Sequence, residues 1–212
     1  MPIQHGCFGQ HVHRDFSRVG RLIVVGGHSR GVGKTSLIAA LLPRLPGGDW
    51  IAVKISGHRH GGGSAGFAVR EESDSDAETP QSRWLTAGAS RAFLLRARDE
   101  TMWEAAAWVL TMLDRGYDLI VESNRLVRYL RPRMVLFVVA PTIADWKASS
   151  ADCLRLANLL VVNGKGEVPG NIDELNPGIT RLWVDLSELS SQPVVVTIIR
   201  PIPVWPRIRS AR

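Results

Sequence analysis

The chain has 212 residues, 45% of them apolar, which is enough to bury the core of one α/β domain. Its formal net charge is +6, and 22 of the 26 basic residues are arginine. The arginines are scattered rather than clustered with aromatic residues, which argues against nucleic acid as a partner. No segment has the ~18 to 20 apolar residues of a membrane span, and residues 1–20 lack the apolar core of a signal peptide, so we expect a cytoplasmic protein with no membrane partner.

The predicted elements begin at residue 21. Residues 1–20 are polar and lack a sustained period, so we predict a flexible N-terminal arm followed by a single domain over 21–212. An apolar run at 22–25 predicts a buried strand, a helical pattern covers 35–45, and a second strand follows at 50–55. The segment 56–80 has no clear period and is predicted to be a long mobile loop. The later predictions are helices at 82–87, 102–115 and 148–155 and strands at 91–96, 118–121, 134–139, 159–162, 181–185 and 194–199.

This alternation of strands and helices predicts an α/β fold. Parallel strands need long crossover connections, and the helices in those connections cover the sheet. We therefore expect a mostly parallel sheet with helices on both faces.

A glycine-rich segment joins the first strand to the first helix and indicates a P-loop NTPase. Glycines allow the backbone to curl until several N–H groups converge on one phosphate, and the helix N-terminus adds a partial positive charge. Lys34 is expected to reach the β- and γ-phosphates, and the Thr35 hydroxyl to bind Mg²⁺. His28 stands where the strict motif has glycine. The predicted nucleotide-binding residues are Ser29, Arg30, Gly31, Val32, Gly33, Lys34, Thr35 and Ser36.

An acidic residue at the end of a neighbouring strand is the second requirement of such a site, because a carboxylate must hold the metal or its water shell. Glu122 closes the predicted strand at 118–121 and would lie at the carboxyl edge of the sheet, where open α/β folds bind their ligands. We therefore predict Lys34 and Glu122 as the catalytic residues and Thr35 and Glu122 as the metal ligands.

With these residues in place, the chain resembles the MobB family, the P-loop adapters of molybdopterin-guanine dinucleotide biosynthesis. Four segments carry the resemblance: the loop at 28–35, the strand 52–54 that runs into the histidine-rich 56–60, the segment 83–89, and the acidic strand 118–122. The resemblance implies binding of GTP or ATP with Mg²⁺, slow hydrolysis and a homodimer. It also implies molybdopterin, or a protein of molybdenum cofactor biosynthesis, as the partner. One departure is Ser123, where MobB proteins have glycine after the acidic residue.

Two further segments have more than one interpretation. His58 and His60 would contact nucleotide or pterin phosphate from a loop, lie in solvent, or bind a metal if His28 supplied a third ligand. Asn163, Gly164 and Lys165 follow a predicted strand where related GTPases read guanine, but the carboxylate of that motif is out of register, which favours a plain glycine turn.

The pattern also admits functions outside the MobB resemblance. A small-molecule kinase or ligase of the same fold would hold its acceptor with the long loop and the arginine-rich 125–133. A nucleotide-gated metallochaperone would use His58 and His60. A non-hydrolysing scaffold would follow from the histidine at position 28 and the missing glycine at position 123.

Overall fold

The computed structural model of the protein describes residues 21–47, 49–57, 66–75, 78–168 and 172–187. Within these residues the strands are β1 (Leu22–Gly27), β2 (Trp50–Ser56), β3 (Phe67–Glu72), β4 (Arg91–Ala97), β5 (Asp118–Glu122), β6 (Met134–Val139), β7 (Leu159–Asn163) and β8 (Arg181–Val184). The helices are α1 (Lys34–Leu41), α2 (Pro80–Thr86), α3 (Met102–Asp114), α4 (Ser150–Arg155) and α5 (Ile172–Leu175), with 3₁₀ turns at Leu42–Arg44 and Leu126–Arg128.

The eight strands form one sheet in the order β3-β4-β2-β5-β1-β6-β7-β8. Every neighbouring pair is parallel except β3 with β4, which is antiparallel. β1 lies between β5 and β6, so the chain builds one half of the sheet on one side of β1 and then crosses to the other side. Such a reversal opens a crevice at the carboxyl ends of the strands, and this is where open α/β sheets bind ligands.

Two apolar layers cover the sheet because successive side chains on each buried strand point to opposite faces. On β1, Leu22 and Val24 belong to the layer formed with α3, α4 and α5, whereas Ile23 and Val25 belong to the layer formed with α1 and α2. All four side chains are fully buried. The predicted α/β class, the mostly parallel sheet and the helices on both faces are therefore confirmed.

The prediction of one long loop over 56–80 was wrong in part, because β3 occupies Phe67–Glu72. This strand is antiparallel to β4 at the edge of the sheet, and its middle residues are exposed, so no hydrophobic run marks it. The predicted helix at 35–45 was too long: α1 ends at Leu41, and Pro43 lies at the start of the 3₁₀ turn that follows. Proline has no N–H for the helical ladder, which accounts for the early end.

Some predictions fall outside the residues that the structure describes. They are the N-terminal arm at 1–20, the loop histidines His58 and His60, and the strand at 194–199. None of the described helices has the length and apolar character needed to cross a membrane.

Candidate functional site

The segment between β1 and α1, which we call the glycine loop (residues 27–33), lies at the crevice beside β5 and β6. Gly31 has φ of 72° and Gly33 has φ of 102°, in the left-handed region that side chains with a Cβ disfavour. Gly33 is the N-cap of α1 and makes no side-chain cap. The two glycines turn the backbone sharply immediately before Lys34.

The backbone N–H groups from Gly31 to Ser36 donate to no acceptor among the described residues. The first N–H groups of any helix lack an intrahelical acceptor, and an anion can satisfy them while it gains from the helix dipole. A glycine loop that runs into a helix N-terminus with its N–H groups unpaired is therefore suited to bind a phosphate group.

The ammonium group of Lys34 is folded back over this loop. Its Nζ donates to the carbonyl oxygen of Ser29 at 2.6 Å. Burial lowers the pKa of Lys34 to about 8; Glu122 opposes this shift, and the nearby cations Lys147 and Lys54 add to it. An anion placed against Lys34 would replace the lost solvation and favour the charged form.

Thr35 and Glu122 meet directly at the edge of the sheet. The Thr35 hydroxyl donates to Glu122 Oε2 at 2.9 Å, and Lys54 Nζ lies 3.4 Å from Glu122 Oε1. Strand register produces this arrangement, since Glu122 is level with Val25 on β1 and Lys54 on β2. Glu122 is 8% exposed, so both of its oxygens are held in a nearly buried site.

These residues fit Mg²⁺. In nucleotide sites Mg²⁺ takes one or two protein oxygen ligands and completes its shell with phosphate oxygens and water. A threonine hydroxyl can present a lone pair to the metal while its proton stays on a carboxylate, and the hydrogen bond from Thr35 to Glu122 already holds that orientation. In the described part of the chain no three His, Cys, Asp or Glu side chains form a group able to hold a metal.

Asn124 holds the start of the glycine loop. Its Oδ1 accepts from the N–H of Gly27 at 2.8 Å, and its Nδ2 donates to the carbonyl oxygen of Gly27 at 2.9 Å. Ser123, the departure from the MobB pattern, has a structural place: its hydroxyl accepts from the N–H groups of Arg125 and Leu126 at the start of a 3₁₀ turn. The two residues after Glu122 thus fix two backbone segments: Asn124 holds the start of the glycine loop, and Ser123 holds the turn that follows β5.

Asn163, at the end of β7, supports the loop from the opposite side. It donates to the carbonyl oxygen of Val32 at 3.1 Å and accepts from the N–H of Leu186 at 3.0 Å. A Cβ on Gly33 would overlap Leu186, so the segment after β8 packs directly on the loop. The turn at Gly164 has φ of 102°, in line with the glycine-turn interpretation, and Asn163 acts as its anchor to the glycine loop.

The loop from β6 to α4, residues 140–149, covers the first half of the glycine loop. The Lys147 N–H donates to the carbonyl oxygen of His28 at 2.8 Å, and the Ser29 hydroxyl donates to Asp145 at 2.8 Å. The His28 ring packs on Trp146, with centroids 4.9 Å apart, and Nε2 donates to the carbonyl oxygen of Ile143.

His28 is fully buried, and burial lowers its pKa. Its place at the motif's usual glycine position is explained by this packing. The ring is enclosed by the 140–149 loop, which gives no support to His28 as a metal ligand, and its suggested co-ligands His58 and His60 lie outside the described residues.

Neither protein-family models nor curated proteins match this sequence.

The structure brings together most of the predicted site. Lys34, Thr35 and Glu122 lie at one point, Ser36 is in the first turn of α1, Arg30 is exposed and Val32 is buried in the core. In the arginine-rich segment 125–133, Arg125 pairs with Asp99 and Arg128 with Asp152. These ion pairs give no support to an acceptor site for a kinase or ligase.

Sequence reasoning missed Asn124, Asp145 and Lys147 as parts of the site. A signal for the first was present, because Asn124 follows a buried strand at the carboxyl edge of the sheet. The other two lie in an irregular loop, and their approach to the glycine loop depends on the pairing of β1 with β6, which no local pattern reveals.

We expect Asn124→Ala to lower the free energy of unfolding by about 1 to 3 kcal/mol, because two hydrogen bonds to the Gly27 backbone are lost in a part-buried position. Asn124→Asp is the matched variant. Near neutral pH its carboxylate cannot donate to the Gly27 carbonyl, whereas protonation at low pH restores a donor. Relative to the wild type, Asn124→Asp should therefore recover stability as the pH falls. Urea denaturation at several pH values measures the free energy of unfolding. A difference between Asn124→Asp and the wild type that does not change with pH would contradict the role of the two Asn124 hydrogen bonds.

Proposed function

We propose that the chain is a P-loop protein that binds a nucleoside triphosphate, GTP or ATP, together with Mg²⁺ at the glycine loop. The observation that carries the proposal is the convergence of three groups at one point: unpaired N–H groups at the start of α1, the ammonium of Lys34, and the hydrogen-bonded pair of Thr35 and Glu122. Each meets a different need of a metal-bound polyphosphate, namely backbone donors, a cation and metal ligands.

Charge complementarity supports the same proposal. Lys34, Lys54 and Lys147 lie within electrostatic range of one another and of Glu122, and Arg30 and Asp145 belong to the same group. The four cations exceed the two carboxylates by two positive charges. Cations held this close together repel one another, and a polyphosphate would relieve that repulsion.

Slow hydrolysis is the reaction that this geometry favours. Mg²⁺, when bound, would neutralise charge on the β- and γ-phosphates. Thr35 and Glu122 would hold the metal, and the N–H groups with Lys34 would stabilise charge that develops on the phosphate oxygens. Glu122 accepts from Thr35 and pairs with Lys54, so its position is fixed and its carboxylate is directed at the metal end of the site rather than at a water molecule. A site that positions phosphate well and activates water poorly hydrolyses slowly.

The role resembling the MobB adapters draws support from where two of the resembling segments lie. Lys54, in the strand 52–54, contacts Glu122. Trp84, in the segment 83–89, is fully buried, and its Nε1 donates to the carbonyl oxygen of Thr35 at 3.1 Å. Both segments thus hold residues of the phosphate site. GTP as the preferred nucleotide, a homodimer and a partner in molybdenum cofactor biosynthesis remain predictions from the resemblance.

The proposal is tested by Lys34→Ala. We expect the variant to lose GTP and ATP binding in the presence of Mg²⁺, with affinity at least about a hundredfold weaker, because a charge-assisted contact in a part-buried site is removed. Isothermal titration calorimetry measures the affinity. Arg115→Ala is the control. It removes one positive charge at the end of α3, just before the start of β5, whereas the candidate site lies at the carboxyl ends of the strands. Wild-type affinity in Lys34→Ala would overturn the assignment.

Glu122→Gln separates catalysis from binding. The amide keeps the shape and can still accept from Thr35, but it removes the charge that holds the metal and pairs with Lys54. We expect the hydrolysis rate to fall by about tenfold or more and nucleotide affinity to fall by less, because Lys34, Thr35 and the loop N–H groups still hold the metal-bound phosphates. Phosphate release at saturating nucleotide gives the rate, and calorimetry the affinity. Equal loss of rate and affinity would assign Glu122 a structural place instead.

A further inference from the structure

Lys147 is a half-buried cation for which the proposed function has so far given no specific binding role. It lies in the 140–149 loop, and within the described parts of the chain its ammonium has no hydrogen-bond or ion-pair partner. Burial lowers its pKa, and Arg30 adds to this shift. A lysine that packed against the protein for stability alone would bury its stem and leave its charge in water or on a carboxylate.

The backbone of Lys147 is fixed to the glycine loop. Its N–H donates to the carbonyl oxygen of His28 at 2.8 Å, and its neighbours hold the same loop: Asp145 accepts from Ser29, and Trp146 packs on the His28 ring. Three successive residues thus contact two successive residues of the loop. The Lys147 side chain therefore starts from a defined point at the mouth of the phosphate site.

The charges around Lys147 are those of the candidate site. Glu122 and Lys54 both act on it electrostatically, and Lys147 in turn acts on Lys34. Lys54 reaches the site from β2 and Lys34 from α1, whereas Lys147 reaches it from the far side of β1, after β6. Three lysines from three elements thus interact electrostatically with Glu122, and Lys54 is in direct contact with it.

We propose that Lys147 binds the terminal phosphate of the nucleotide and so selects triphosphates over diphosphates. This rests on the proposed function. The Lys34 ammonium, which is expected to meet the β- and γ-phosphates, lies on the Ser29 carbonyl, in the part of the loop that Asp145 and Lys147 hold. Lys147 thus starts beside the Lys34 end of the loop and is influenced by Glu122, so we infer that its ammonium meets the last phosphate rather than the first. The γ-phosphate also supplies the acceptor oxygens that Lys147 lacks among the described residues.

The test compares triphosphate and diphosphate binding in Lys147→Ala. With Mg²⁺ present, calorimetry gives the affinity for the non-hydrolysable β,γ-imido analogue of GTP and for GDP, and for the adenine pair in parallel. We expect the triphosphate affinity to fall about tenfold or more and the diphosphate affinity to change less than about twofold. Lys147→Arg should keep most of the selectivity because it keeps the charge. Arg115→Ala again controls for the change in net charge.

The outcomes separate this inference from the proposed function. A wild-type protein that binds neither nucleotide class refutes both. A wild-type protein that binds nucleotide, with Lys147→Ala losing affinity for both classes equally or for neither, refutes the role of Lys147 and leaves the nucleotide site standing. Lys147→Gln keeps part of the apolar stem while it removes the charge, and it serves if the alanine variant unfolds, as judged by circular dichroism. Loss confined to the triphosphate supports the inference.

Discussion

The hydrogen bond from Thr35 to Glu122 is the contact on which the site depends. It joins the first turn of α1 to the last residue of β5, and it forms only because β1 and β5 are adjacent and parallel with Val25 level with Glu122. The glycine loop connects β1 to α1 and is held by Asn124 on the β5 side and by Asn163 on the β7 side. This hydrogen bond of 2.9 Å therefore requires the correct strand order, the correct strand register and the correct loop conformation.

The site shows an electrostatic compromise. Burying Lys34 beside Lys54 and Lys147 costs solvation and brings like charges together, and Glu122 offsets only part of this. A protein that held these cations for stability alone would pair each with its own carboxylate. The N–H groups from Gly31 to Ser36 are likewise left without acceptors among the described residues. Excess positive charge and N–H groups without acceptors are both expected of a site that binds an anion. They are the physical basis of the proposed nucleotide site.

Local sequence predicted the parts of this architecture that local patterns specify. Continuous apolar runs marked β1, β2 and β5 because these strands are buried on both faces, and the glycine loop and Glu122 could be placed from the ends of those strands. β3 could not be predicted, since an exposed edge strand has no hydrophobic signature. Asn163 and Lys147 approach the loop from residues more than a hundred positions away, so only the strand order reveals their contacts.

The charge state of Lys34 offers the most direct measurement. Its pKa of about 8 in the free protein means that part of the population is neutral at about pH 8.5, and a bound phosphate would restore the proton. Calorimetric titration with Mg²⁺ and GTP at about pH 8.5, in two buffers of different ionisation enthalpy, counts protons exchanged on binding. We expect net proton uptake at that pH and almost none at about pH 6.5, where Lys34 is already charged. Binding without proton uptake at the higher pH, or no binding heat at either pH, would contradict phosphate binding at Lys34.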